Sequence, residues 1–126
     1  MFEQGRRAPL HCTSIGKIFL AELPEDEFAW WLSHTPLPAV TPRTITKTAS
    51  LRGVVSKVRE TGWAVSDDEF AAGVVGCAVP IRTAEGKLVA GLGISVPSAR
   101  LPFEKLTRFR SKMEKAARAI AVALVA

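Results

Sequence analysis

Residues 76–82 and 88–95 are two apolar, β-rich runs separated only by Thr83, Ala84, Glu85, Gly86 and Lys87. Extended segments joined so closely read as an antiparallel hairpin, and this limits the possible folds more than any other feature. Pro80 lacks the N–H that a ladder uses, so the first of these strands is expected at an edge or at a bulge. Residues 63–66 make a further short strand. Between it and the hairpin, residues 67–75 form an acidic loop shaped by Gly73.

Outside this β-rich middle the apolar period lengthens to that of a helix. Residues 14–23 place Ile15, Ile18, Phe19 and Leu23 on one face, with Ser14 as the expected cap and Pro24 as the stop. A second short helix opens at Pro24, where Glu25, Asp26 and Glu27 suit the positive end of the dipole. Its apolar face is Phe28, Trp31 and Leu32. Pro36, Pro38 and Pro42 make residues 33–48 a loop. A third helix over about 49–61 turns Leu51, Val54, Val55 and Val58 inward and stops at Gly62. The last helix starts near Pro102 and lines up Leu106, Phe109, Met113, Ala117, Ile120 and Leu124. Helices, then an antiparallel sheet, then a helix packed back on it define an α+β fold, with no sign of βαβ crossovers.

The 126 residues suffice for one domain, and 48% hydrophobic with 23% charged residues is ordinary for a soluble globular protein. No apolar run reaches the ~18 residues of a membrane span, and no signal-peptide cleavage site follows the N-terminal arginines. Cys12 and Cys77 lie far apart and do not form a disulfide framework, which suits a reducing, cytoplasmic compartment. The net charge of +5 is concentrated: seven basic residues fall between Arg100 and Arg118, against only Glu104 and Glu114.

Catalytic chemistry finds little support. His11 and His34 stand beside no nucleophile motif, and neither G-x-S-x-G, Walker A nor G-x-G-x-x-G occurs. The glycines of "AGLGIS" sit within a strand, where small residues permit close packing or leave ligand room. No metal site is expected, because adjacent His11 and Cys12 diverge and Cys77 reads as a small buried hydrophobe. No cofactor is implied. A small acid fares better. The helix opening at "TSIGK" presents unpaired N–H groups and a positive dipole end, Gly16 keeps one side open, and Lys17 is placed to add charge. Every helix has such an end, so this feature alone is weak. Ser66, Asp67, Asp68, Glu69 and Ser95 are candidate polar anchors, with a solvated turn as the blander reading. Lys105, Arg108, Lys112 and Lys115 form a basic stripe on the last helix, more often a solvated face than a DNA contact, and no helix-turn-helix accompanies it.

Several segments in order, "PLHCTSIGKIFLAELPEDE", "TPRTIT", "LRGVVSKVRETGWAVSDDEF" and "AAGVVGCAVPIRTAEGKLVAGLGISVPSARLPFEKL", resemble the effector-binding domain of IclR-family bacterial transcription regulators. The resemblance runs from about Pro9 to Leu124. It implies a GAF- or profilin-like α+β sensor for small organic acids, often of aromatic catabolism, that assembles as a dimer or tetramer. DNA would be reached only through a separate winged helix-turn-helix, and no membrane is involved. Carried over by position, the carboxylate-holding backbone falls on Ser14 and Ile15, beside Gly16. The family's pocket acid falls on Ser66, with Asp67 next. Its pocket cysteine falls on Gly76, one place before Cys77, which should then face the core or mark a bulge. Its paired strand serines fall on Gly93 and Ser95. Glycine at 76 and 93 suggests a larger, less polar pocket for an aromatic or bulky acid. Only eight residues precede the resemblance, where the family's DNA reader, linker and first sensor strands normally stand. Residues 1–8 are therefore expected to be a frayed or cut edge, and 9–126 a sensor lacking its first strands. Two other readings stay open: a small enzyme on a GAF-like scaffold using Cys77 or His11, and an inert remnant.

Overall fold

A computed structural model describes residues 8–125. The α1 helix spans Ser14–Glu22, α2 Glu25–His34 and α3 Thr48–Thr61. Strands β1 (Ala64–Asp67), β2 (Val74–Arg82) and β3 (Leu88–Pro97) follow, and a 3-10 turn at Phe103–Phe109 leads into α4 (Arg110–Val125). Among the described residues the strands form one antiparallel sheet in the order β1-β2-β3. The fold is the expected α+β arrangement.

Side-chain alternation divides the sheet into two faces. Val75, Cys77, Val79 and Ile81 of β2 are buried with Leu106, Met113, Ala117 and Ala121, so α4 covers one face. Ala78 packs with Ile18 and Val58 on the other, which α1 and α3 cover. A separate cluster of Leu20, Phe28, Leu32, Leu51 and Val55 joins the three N-terminal helices. Arg82 clamps the far end of α1 to the sheet, donating from Nη1 and Nη2 to both Glu22 oxygens at 3.0 and 2.8 Å.

Several local expectations change. Thr13, not Ser14, caps α1: its hydroxyl accepts from the Gly16 N–H at 3.0 Å and donates to the Pro9 carbonyl at 2.8 Å. Ser14 is already the first helical residue, because the extended backbone that a cap needs ends at Thr13. Pro80 lies in the central strand, but β1 stops pairing at Ala78 and the ladder irregularity falls at Ile81/Arg82. The proline therefore sits where β2 has β3 alone as a neighbour, next to a bulge. Gly62 ends α3 in the left-handed region (φ 68°), and Gly73 turns the acidic loop (φ 76°). On α4 the inward stripe ends in Ala121 rather than Leu124, which is 59% exposed.

Candidate functional site

The β-sheet register brings three of the residues singled out from sequence into one line. Ser66 pairs with Gly76, and Gly76 pairs with Ser95, across all three strands. Their face is the one that α1 covers, and the first turn of α1 lies over it. Between helix and sheet is a cavity of about 380 Å³. Ala8, Leu10, Thr13, Ser14, Ile15, Gly16 and Phe19 wall one side. Ser66, Phe70, Ala71, Gly76, Gly93 and Ser95 are among the residues opposite. Of the frayed edge expected over residues 1–8, only Ala8 lies within the described residues, and it borders this cavity.

Among the described residues, none that lines the cavity carries a charge. Lys17, expected to contribute one, is turned away and only 1% exposed. Its Nζ donates to the Val65 carbonyl and to Glu69 Oε1, both at 2.6 Å. Among the described residues at the cavity, the groups that can attract an anion are the serine hydroxyls and the backbone N–H groups that open α1. Of its first N–H groups, Gly16's is taken by the Thr13 hydroxyl and Lys17's by the Thr13 carbonyl at 3.1 Å. The N–H groups of Ser14 and Ile15 have no acceptor among the described residues. They are the orphan donors that any helix start leaves, here at the wall of a cavity.

The hydroxyls differ in what they offer. Ser66 Oγ donates to the Cys12 carbonyl at 3.1 Å, so toward a ligand it retains acceptor capacity. Ser14 and Ser95 hydroxyls have no partner among the described residues. Asp67 is not brought to the cavity: one residue on from Ser66, it faces the other side of the strand, and its carboxylate pairs with Arg43 at 3.1 Å. Glu69 is held by Lys17 and by the Asp67 N–H at 3.1 Å. Asp68 adopts φ 56°, and its Oδ1 is buried without a partner among the described residues.

Nothing in the sequence reading assigned a role to Thr41 and Thr44, yet they clasp the loop that carries Phe70. Thr44 Oγ1 donates to the Glu69 carbonyl at 2.6 Å, and Thr41 Oγ1 to the Asp68 carbonyl at 2.5 Å. The available signal was the pair of threonines spaced three apart after a proline-rich stretch, a pattern suited to side-chain-to-backbone turns.

The glycines admit close neighbours rather than empty space, α1 at Gly93 and the β3 backbone at Gly76. A Cβ on Gly93 would lie 2.9 Å from Ile15 Cδ1, and one on Gly76 would lie 3.0 Å from the Ile94 carbonyl oxygen. The enlargement inferred at position 93 is therefore occupied by the Ile15 side chain.

Cys77 faces the α4 core, with its Sγ 3.7 Å from Met113 Sδ. Burial pushes its thiol up from 9.0 to about 11. The Cys12 thiol is also pushed to about 11, by burial first and then by the nearby Glu69 carboxylate. Neither is the activated thiolate that nucleophilic chemistry needs. His11 is buried, with Nε2 2.9 Å from the Pro38 carbonyl oxygen. At pH 8 the native protein should resist alkylation at both cysteines, and denaturant should release both; rapid labelling of the folded chain would contradict the burial. Folding raises these pKa values, so their contribution to stability is complete below pH 9 and is lost as pH climbs through 11. Among the described residues no three His, Cys, Asp or Glu side chains converge as a metal site. No described helix is long and apolar enough to cross a membrane.

A cavity closed by a helix N-terminus on one face of a small antiparallel sheet belongs to a small-molecule-binding domain. The chain is a member of the IclR family of bacterial transcriptional regulators: the family's C-terminal domain model matches residues 1–122. Its relatives include the HTH-type transcriptional regulator KdgR of Escherichia coli (strain K12), 39% identical over 116 residues. That match covers 92% of this chain and 44% of KdgR, so the chain spans less than half of that relative. A solved transcriptional regulator from Rhodococcus sp. RHA1 superposes with a TM-score of 0.92 at 36% identity, over 100% of this chain and 53% of that one. The inducer-binding domain of a PobR double mutant from Acinetobacter, solved with 3-hydroxybenzoic acid, superposes at 0.88 with 28% identity, over 94% of this chain and 69% of that one.

Proposed function

We propose that this chain is the acid-sensing domain, residues 9–126, of a cytoplasmic IclR-type regulator, binding a small organic monocarboxylate in the α1–sheet cavity. One observation carries the reading: the N–H groups of Ser14 and Ile15, without an acceptor among the described residues, stand at the wall of a cavity whose described lining carries no charge. A carboxylate there would gain two charge-assisted hydrogen bonds and the helix dipole. The body of the acid would lie against Leu10, Phe19 and Phe70, with Ser66, Gly76, Gly93 and Ser95 beneath it. These apolar walls favour an aromatic or similarly flat acid over a highly polar one, and the 3-hydroxybenzoic acid of the PobR domain is of that kind. The domain would act as a dimer or tetramer, and acid binding would alter DNA affinity through a winged helix-turn-helix outside this sequence. The role is sensing rather than catalysis.

Ser14→Pro tests the helix-end site. Proline suits the first helical position, and Thr13 (φ −118°, ψ 146°) already has the extended backbone required before it. The substitution deletes one N–H and should weaken benzoate or 3-hydroxybenzoate binding by about tenfold or more in isothermal titration. Ser14→Ala, which keeps the N–H, should bind almost normally. Equal affinities for the proline and alanine variants, or preference of the unaltered chain for pyruvate over both aromatic acids, would refute the reading.

A further inference from the structure

The side chain of Ile15 lies across β3 rather than in the core, and it remains 37% exposed. Its Cδ1 and Cγ1 lie 2.9 and 3.0 Å from where a Cβ on Gly93 would stand. Its Cγ2 lies 3.2 Å from the corresponding point on Gly91. One branched side chain thus fills the hollow that two glycines leave on the same face of the strand. Gly93 borders the cavity and Gly91 does not, so Ile15 stands where the cavity ends along β3. The backbone of the same residue supplies one of the two unpaired N–H groups. The group that would hold the carboxylate and the group that stops the body of the acid are therefore parts of one residue, at a fixed separation.

We infer that the Ile15 side chain, seated over Gly91 and Gly93, is the specificity-determining wall that limits the length of the monocarboxylate the cavity accepts. This rests on the acid-binding reading above. Shortening Ile15 would extend the cavity over the glycine-lined strand without touching its N–H groups. Adding a methyl group at Gly93 would press Ile15 back into the cavity and narrow it.

Benzoate and the longer biphenyl-4-carboxylate distinguish the possibilities by isothermal titration. The unaltered chain should prefer benzoate. Ile15→Ala should shift the affinity ratio toward biphenyl-4-carboxylate by about tenfold or more, the discrimination that methylene-sized changes in an apolar pocket produce. Ile15→Val should fall between. Gly93→Ala should lower the melting temperature in the Ile15 background but much less alongside Ile15→Ala, which reads the contact without any ligand. An unchanged ratio in Ile15→Ala, with benzoate still bound, would overturn the wall while leaving the acid site standing. If neither acid binds any of these folded proteins, the acid site itself fails and the wall with it.

Discussion

Gly16→Ala should lower the melting temperature by roughly 10 °C and remove acid binding in the same step, a cost of ~2–3 kcal/mol from overpacking. The reason is close approach, since Gly16 sits in an ordinary helix. A Cβ there would lie 2.5 Å from the Leu10 carbonyl oxygen, 2.5 Å from Thr13 Oγ1 and 2.6 Å from Leu10 Cα. Two of these are backbone atoms, and the third is the hydroxyl that caps the helix. Relief requires either the 8–13 segment or the start of α1 to move, and both border the cavity. Circular dichroism melts and titration with benzoate check the two halves separately. A melting temperature within about 2 °C of the unaltered protein would show that the segment yields easily.

Lys17→Met should be as severe, costing ~3–5 kcal/mol, because it strands the Glu69 carboxylate in a buried setting and leaves the Val65 carbonyl without its donor. The pair is enclosed, with side chains 2% and 11% exposed, so solvent screens it little. Lys17→Met combined with Glu69→Gln should recover part of the loss, since the amide oxygen can still accept from the Asp67 N–H while no charge is left unpaired. Urea midpoints at unchanged slope measure both. If the single and double variants were equally destabilised, the lost donor to the Val65 carbonyl, common to both, rather than the unpaired Glu69 charge would be the larger contribution.

The two substitutions mark where sequence patterns were informative and where they stopped. Period and punctuation located the first three helices, the hairpin and the turn glycines to within a residue or two, but the last helix, expected from near Pro102, begins at Arg110 after a 3-10 turn over Phe103–Phe109. Alternation along β2 separated Gly76, on the cavity face, from Cys77 on the other, whereas Ser66 and Asp67 both stayed candidates until the register of β1 placed Ser66 alone at the cavity. Period and alternation are local properties of the chain. The orientation of Lys17 was not legible, because its partners lie roughly fifty residues away at Val65 and Glu69. The cap was misplaced by one position, since Thr13 and Ser14 are both capping residues and only backbone angles choose between them. The glycines at 91 and 93 showed that space existed on β3. What filled it depended on where α1 docks.

The Ser66–Gly76–Ser95 line also bears on how folding should be assayed. β1, β2 and β3 are sequence neighbours and α4 follows them directly, so most of the ordered backbone and the larger apolar core involve nearby segments. The cavity does not. Its other wall is α1, about sixty residues upstream, and closing so long a loop costs entropy that only the finished contact offsets. Any partly folded species with the meander formed and α1 undocked would keep its sheet and α4 yet offer half a cavity. Ellipticity would report such a species as largely native. Acid binding would not, which makes ligand titration the stricter measure of whether a preparation of this domain is fully folded.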